Sequence, residues 1–282
     1  MRYIVAVSGG IDSVVLLHQL VTAGEHELIV AHFDHGIRDD SADDARFVQA
    51  LADQYGLPFV TRREELGAHA SEAFARERRY RFLRQVAVEH HAQIVTAHHS
   101  DDVIETIAIN LTRGTGWRGV AVLNSPDIER PLVYMSKSQL RQYAHDYRLE
   151  WVEDSTNATP AYLRNRIRQR ISRMIDSSAH QQLAGLRIRQ CEIKREIETE
   201  VAVLVGEGPE YSRYLLTAVD GAVACELLRA VIVRQQLTGL TRPQLEQAIL
   251  AIKTARPGTK YQAGDGIELR FTKRTFTTET LE

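Results

Sequence analysis

The residues best equipped for chemistry stand at the front of the chain, in Ser8-Gly-Gly-Ile-Asp-Ser13. Gly9 and Gly10 have no Cβ, so their backbone N–H groups can approach an anion closely, and Ser8 and Ser13 add hydroxyls. Phosphate is the natural guest. Asp12 would repel a bare phosphate, so its place here calls for a cation such as Mg²⁺ bridging it to the phosphates, or for a helix cap. The apolar run Tyr3–Val7 ahead of the loop and Val14-Val-Leu-Leu17 behind it predict strand, phosphate loop and helix, with Ile11 within the loop. Neither the Walker pattern nor Gly-x-Gly-x-x-Gly is present, which removes the two commoner phosphate loops.

Further polar clusters follow apolar runs. Glu27-Leu-Ile-Val-Ala leads into His32, Asp34, His35 and Arg38. In an open α/β sheet such residues sit beyond the carboxyl end of a strand, where ligands bind. The strand Gln93–Ala97 is followed by His98-His-Ser-Asp-Asp-Val-Ile-Glu-Thr106. A helix starting near Ser100 turns His99, Asp102, Glu105 and Thr106 to one side. Adjacent His98 and His99 cannot both face one ion, so a Mg²⁺ and substrate-amine site is read here rather than zinc, with plain helix capping by Ser100, Asp101 and Asp102 as the alternative. A helix from about His69 to His90 places Arg76, Arg79 and Tyr80 on one face, for phosphate or for solvent. The glycine-dense loop Thr112–Gly119 offers Arg113 and Arg118.

The elements that must hold these residues fit a chain of 282 residues, 44% hydrophobic, long enough for one large domain or two ordinary ones. No apolar run is long enough to span a bilayer and no signal-peptide layout opens the chain, so a cytoplasmic location is expected. Cys191 and Cys225 are too few and too far apart for a disulfide framework or a four-ligand zinc site. The net charge of −2 conceals a stripe from Tyr162 to Arg195 with nine basic residues against two acidic ones, fitting a polyanion surface or a solvated helix face. Arg164, Arg166 and Arg168 lead that stripe.

The Ser8–Ser13 loop resembles the SGGxDS signature of the PP-loop ATP pyrophosphatases. The wider ordered set is His32-x-Asp-His-x-x-Arg38, Ala75-Arg-x-x-Arg-Tyr80, Ala97-His-His-x-Asp-Asp-x-x-Glu-Thr106, Arg113-Gly-x-Gly116, Arg130-Pro-Leu, Trp151-x-Glu-Asp-x-x-Asn157 and Arg164-Asn-Arg-Ile-Arg168. Over roughly residues 1–175 this set resembles the tRNA(Ile)-lysidine synthetase family. The resemblance implies a Rossmann-like parallel sheet with flanking helices, and an enzyme that uses ATP and Mg²⁺ to adenylate C2 of the wobble cytidine in tRNA(Ile) with a CAU anticodon. The amine of free L-lysine then displaces AMP. It also implies roles: Ser8–Ser13, with His32, Arg38 and Arg113, on ATP; Asp34 and Asp102 on Mg²⁺. Arg76, Arg79, Arg118, Arg164, Arg166 and Arg168 fall to tRNA or polyphosphate, and Glu105 or Asp101 to the lysine amine.

The boundary is expected near residues 176–178, giving a catalytic domain 1–178 and a smaller, mainly helical domain 179–282 that braces tRNA and ends in a hairpin over Lys260–Phe271. No catalytic cluster is read in the second domain, and a homodimer is left open. Two other functions fit less of the sequence. A tRNA thiolase relays sulfur through cysteines, of which the first 190 residues hold none. A non-catalytic adenine-nucleotide sensor needs only the loop and leaves the acids at 101–105 without a task.

Overall fold

A computed structural model describes residues 1–36, 41–67, 70–153, 167, 171, 177–235, 237, 239–264 and 266–280. Arg38, Arg164, Arg166 and Arg168 lie outside them. The chain divides into two compact units, Met1–Cys191 and Glu192–Glu282.

The first unit is built on a parallel sheet of β1 (Arg2–Ala6), β2 (Glu27–Asp34), β3 (Phe59–Arg63), β4 (Gln93–Val95) and β5 (Ile128–Glu129), in the order β3-β2-β1-β4-β5. Ile4 of β1 stands between Ile29 of β2 and Ile94 of β4, all three buried. A central parallel strand is covered on both faces, which is why Tyr3–Val5 and Leu28–Val30 read as unbroken apolar runs. Helices supply the cover: α1 (Ile11–Ala23), α2 (Ser41–Gln54) and α5 (Lys137–Asp146) pack around Val5, Leu16 and Leu140, and α3 (Glu72–Glu89) lays Phe82, Leu83 and Val86 on Ile4 and Ile29. The helix α4 (Ser100–Thr112) packs Val103 and Ile107 against Val122 and Val133.

After β3 the chain returns past β1 to form β4, so the strand order reverses between β1 and β4. Loops leaving the carboxyl ends of these two strands diverge and leave a crevice, the usual ligand position in such sheets. The Ser8–Gly10 loop leaves one and the 96–99 segment the other.

Two expectations are refined. Helix α3 begins at Glu72, where the Ser71 hydroxyl accepts the Phe74 N–H. The cap of α4 is His99, with Ser100 already inside the helix.

The second unit contains the end of α6 (Ser177–Val205), then β6 (Tyr211–Ser212), α7 (Arg213–Thr217), α8 (Gly221–Arg234), α9 (Arg242–Thr254), β7 (Lys260–Gly264), β8 (Ile267–Phe271) and β9 (Thr275–Thr280). The expected hairpin is β7–β8, but it belongs to a four-stranded antiparallel sheet, β6-β9-β8-β7. Its apolar side, with Leu269, Phe271 and Phe276, packs on Leu228, Leu245 and Ile252 of the helices. Arg213 secures the arrangement by donating to the carbonyls of Ile252, Ala255 and Thr272 at 2.7–2.8 Å.

Candidate functional site

The phosphate loop is shaped by its own residues. Gly9 has φ of +91°, in the left-handed region that a side chain disfavours, and a Cβ there would also touch Phe47, Val48 and Val152. Ser13, the third residue of α1, turns its hydroxyl back to donate to the Gly10 carbonyl at 2.8 Å and to accept the Ser8 N–H at 3.2 Å. The Gly9 carbonyl accepts Val152 N–H at 3.0 Å. The loop is thereby fixed as a rigid approach to the N-terminus of α1, whose first-turn amides and dipole favour an anion. Ser8 is exposed, while Ile11 and Ser13 are buried beneath it.

Asp12 faces a second cluster, at the N-termini of α4 and α5. Lys137 opens α5 behind the cap Ser136, and its Nζ donates to both carboxylate oxygens of Asp12, at 2.6 and 2.7 Å. The backbone N–H of Lys137 donates to Asp101 at 2.8 Å. His99 stands among three carboxylates: its Nε2 lies 3.6 Å from Asp12 and 3.6 Å from Asp102, and its Nδ1 lies 3.4 Å from Asp101. Asp102 also accepts the His99 N–H at 3.1 Å, closing the first turn of α4. The two helix ends are joined through Ser100, whose N–H and hydroxyl both donate to the Met135 carbonyl, at 2.9 and 2.8 Å. The Ser100 hydroxyl in turn lies 2.8 Å from His180 Nε2.

The electrostatics follow from this crowding. Burial disfavours a charged His99, but Asp101, Asp12 and Asp102 outweigh it and raise the imidazolium to a pKa of about 9. Burial raises Asp101 too, yet His99 and the Lys137 N–H bring it down to about 2. Asp12 is lowered in the same way, by His99 and Lys137 against burial.

These shifts imply a pH dependence. His99 stays charged in the folded chain to about pH 9, whereas the unfolded chain releases that proton near 6.5. Its stabilisation is complete below about pH 6.5 and is lost as pH rises through about 9. Thermal unfolding without nucleotide should therefore show the melting temperature falling across that interval, and His99→Gln should flatten the fall. An equal fall in the variant would show that His99 is not the titrating group.

The sequence-predicted residues fall into three groups. Ser8–Ser13, Asp101 and Asp102 are brought together at the crevice. Across the loop, near the end of β2, His32 is buried with Nδ1 donating to the Val7 carbonyl at 2.8 Å. Asp34, also buried there, accepts from Gly36 N–H at 2.8 Å and from Arg63 at 3.1 Å. Burial, with Arg79 nearby, depresses His35 to a pKa of about 4, so it is neutral.

Arg76 and Arg79 do share a face, with guanidinium carbons 4.9 and 5.6 Å from the centre of the Tyr80 ring. Glu105 is buried, at 2% exposure. Arg113 is an outlier, because it caps the C-terminal end of α4, roughly 18 Å from the acids by the 1.5 Å rise per residue. Arg118 follows in the adjoining turn, stacked at 4.8 Å over Trp117. Within the basic stripe, Arg187 does not face solvent; it is buried and donates to the carbonyls of Val122 and Leu123.

Lys137 was missed. Its signal in the sequence was only that it follows the cap of a helix leaving the carboxyl edge of the sheet.

Among the described residues, no three His, Cys, Asp or Glu side chains form a metal-holding group by themselves. Magnesium rarely asks for one: it takes one or two carboxylates and completes its shell with phosphate and water. Asp12 and Asp102, which flank the same ring nitrogen of His99, suit that demand. No helix among the described residues is long and apolar enough to cross a membrane.

A glycine loop after the first strand of a parallel sheet, lying at the reversal of strand order and facing an acidic cluster, defines an α/β domain of the phosphate-loop type. Residues 1–175 match the family model of the PP-loop domain, and the chain belongs to that family. Its curated relatives include the tRNA(Ile)-lysidine synthase of Solibacter usitatus, 34% identical over 89% of this chain and 57% of that one. The enzyme of the same name from Exiguobacterium sibiricum is 42% identical over 60% of this chain and 42% of its own. The chain thus spans about half the length of these relatives. Among solved structures, the U34-tRNA thiolase NcsA from Methanococcus maripaludis aligns over 68% of this chain and 72% of its own with a TM-score of 0.58. At 16% identity that likeness shows the fold alone.

Proposed function

We propose that this chain ligates L-lysine to C2 of the wobble cytidine in tRNA(Ile) with a CAU anticodon, through an adenylated RNA intermediate. The observation that carries this reading is the facing pair of sites at one crevice: a phosphate loop, and across from it a cluster of carboxylates around Lys137 and His99. It is supported by the similarity to the lysidine synthases, at 34% identity over most of this chain.

In the first step the C2 oxygen of cytidine bonds to the α-phosphorus of ATP and the bond to the β-phosphate breaks, releasing pyrophosphate. An oxygen that leaves poorly becomes part of a good leaving group. In the second step lysine's neutral ε-amine attacks C2, the C2–O bond breaks, AMP departs with the electron pair, and the amine gives up a proton.

In this reading the loop Ser8–Ser13 cradles the β- and γ-phosphates, and His32 faces the adenosine. Asp12 and Asp102 would hold Mg²⁺, which supplies charge neutralisation on the phosphates when bound. Asp34 would have to exchange its hydrogen bond from Arg63 to join them, as Asp12 would its contact with Lys137. Lys137, already beside Asp12, offsets the charge that builds on departing pyrophosphate. Asp101, ionised down to about pH 2, suits holding an ammonium and is a poor proton acceptor. It is assigned to binding lysine, and Glu105 to taking the amine proton. Arg76 and Arg79 on α3, and Arg113 and Arg118 beyond α4, are assigned to RNA phosphates rather than to ATP.

The test is a two-stage incubation. ATP labelled at the α-phosphate should transfer its label to tRNA(Ile) when lysine is withheld, and adding lysine should release that label as AMP. Label that never enters the RNA would refute the adenylated intermediate.

A further inference from the structure

Tyr134 is left unused by this chemistry, although it stands at the site's edge. It ends the 3-10 turn Pro131–Tyr134, which carries the chain from β5 to the cap of α5, three residues before Lys137. The turn is firmly mounted. Leu132 is fully buried, Val133 packs on Val103 and Ile107, and the next carbonyl, of Met135, accepts both donors of Ser100. Yet Tyr134 itself is 65% exposed. Rigid backbone on both sides fixes where the ring is mounted, and its exposure leaves the ring open to a partner. With only two side-chain torsions, a tyrosine gives up little rotamer entropy when a planar partner stacks on it.

We propose that Tyr134 is a stacking platform for a nucleobase of the RNA substrate, beside the base that reacts. This rests on the reading of the preceding subsection. Stacking on an aromatic ring is how unpaired bases of RNA are commonly held, because every base offers a π-face. Two sources of a base meet at this crevice, ATP and RNA, and the strand order separates them. His32, assigned to adenosine, lies near the end of β2 on one side of the phosphate loop. Tyr134 follows β5 on the other side, with Asp101, Asp102 and Lys137, where the RNA must present its cytidine to the α-phosphate.

The experiment compares Tyr134→Ala and Tyr134→Phe, reading affinity for a fluorescent hairpin carrying the CAU anticodon loop alongside the KM for ATP. Loss of the ring should weaken hairpin binding about 5- to 100-fold, while Phe, which keeps the π-face, stays within about twofold of the parent and the KM for ATP changes by less than about twofold. Tyr134→Ala removes no buried ring, and matching thermal melts of the variants verify the fold. Unchanged hairpin affinity in Tyr134→Ala overturns the proposal. So does a raised KM for ATP with hairpin binding intact, which assigns the ring to adenine. If the parent chain itself fails to bind the hairpin, the RNA reading falls together with the platform, a result distinct from a loss confined to the variant.

Discussion

Asp12→Ala is expected to lower the conversion of ATP to AMP by at least about a hundredfold while leaving the chain folded. Asp12 is the one carboxylate that the phosphate loop itself carries into the crevice. Its two oxygens accept from Lys137 at 2.6 and 2.7 Å, and His99 stands 3.6 Å away. In the proposed reaction the same oxygens anchor the ion that neutralises the phosphates, so alanine removes the anchor and leaves Lys137 unpartnered at that point. Asp12→Asn tests charge apart from shape: it keeps the volume and loses the anion, and should be nearly as inactive. AMP formation at the parent rate in either variant would show that the loop does not carry the nucleotide as described.

Lys137→Met is expected to cost about a hundredfold or more in AMP formation, with the KM for ATP changed far less, because the ammonium is asked to act on charge that develops as pyrophosphate leaves. Methionine preserves most of the stem packing of a side chain that is one-third exposed. A loss confined to KM would instead make Lys137 a plain binding residue. Arginine keeps the charge but spreads it over a planar fork, so Lys137→Arg should recover only part of the rate. Parent-like turnover in Lys137→Met would reduce the Asp12 contact to a structural ion pair.

The contrast between these two residues shows what the sequence could convey. Asp12 was legible because its neighbours on both sides are local signals: an apolar strand, two glycines, and a helix that starts at once. Lys137 had no such frame. It meets Asp12 across 125 residues, only because α5 begins at the carboxyl edge of the sheet beside the β1 loop. A lone lysine after a helix cap otherwise reads as solvated surface.

His98 and His99 illustrate the intermediate case. Alternation along the chain ruled out a shared ion, and the two rings do diverge, His98 to the Thr96 hydroxyl at 2.8 Å and His99 into the acids. That His99 would be held as a cation required the burial and the three carboxylates to be seen together.

Burial also accounts for Arg187, which counted toward a basic stripe by composition but serves the interior by capping two carbonyls. Leu123 adopts φ of +51° there, and its carbonyl accepts from both Arg187 and Arg130. In the second unit the three longer helices and the hairpin follow apolar spacing, whereas β9 does not. Thr275-Phe-Thr-Thr-Glu-Thr280 has a single large apolar residue, Phe276, and threonine-rich alternation carries little signal until β8 is in place beside it.

The central claim is that one crevice joins lysine to RNA at the expense of ATP, and nucleoside analysis addresses it most directly. The purified chain would be incubated with ATP, Mg²⁺, radiolabelled lysine and a tRNA(Ile) transcript bearing CAU, and the RNA digested to nucleosides. The account predicts label in lysidine, and none when a methionine tRNA with the same anticodon replaces the substrate. AMP release with no lysine in the RNA would contradict it, leaving the PP-loop domain in place but with a different nucleophile.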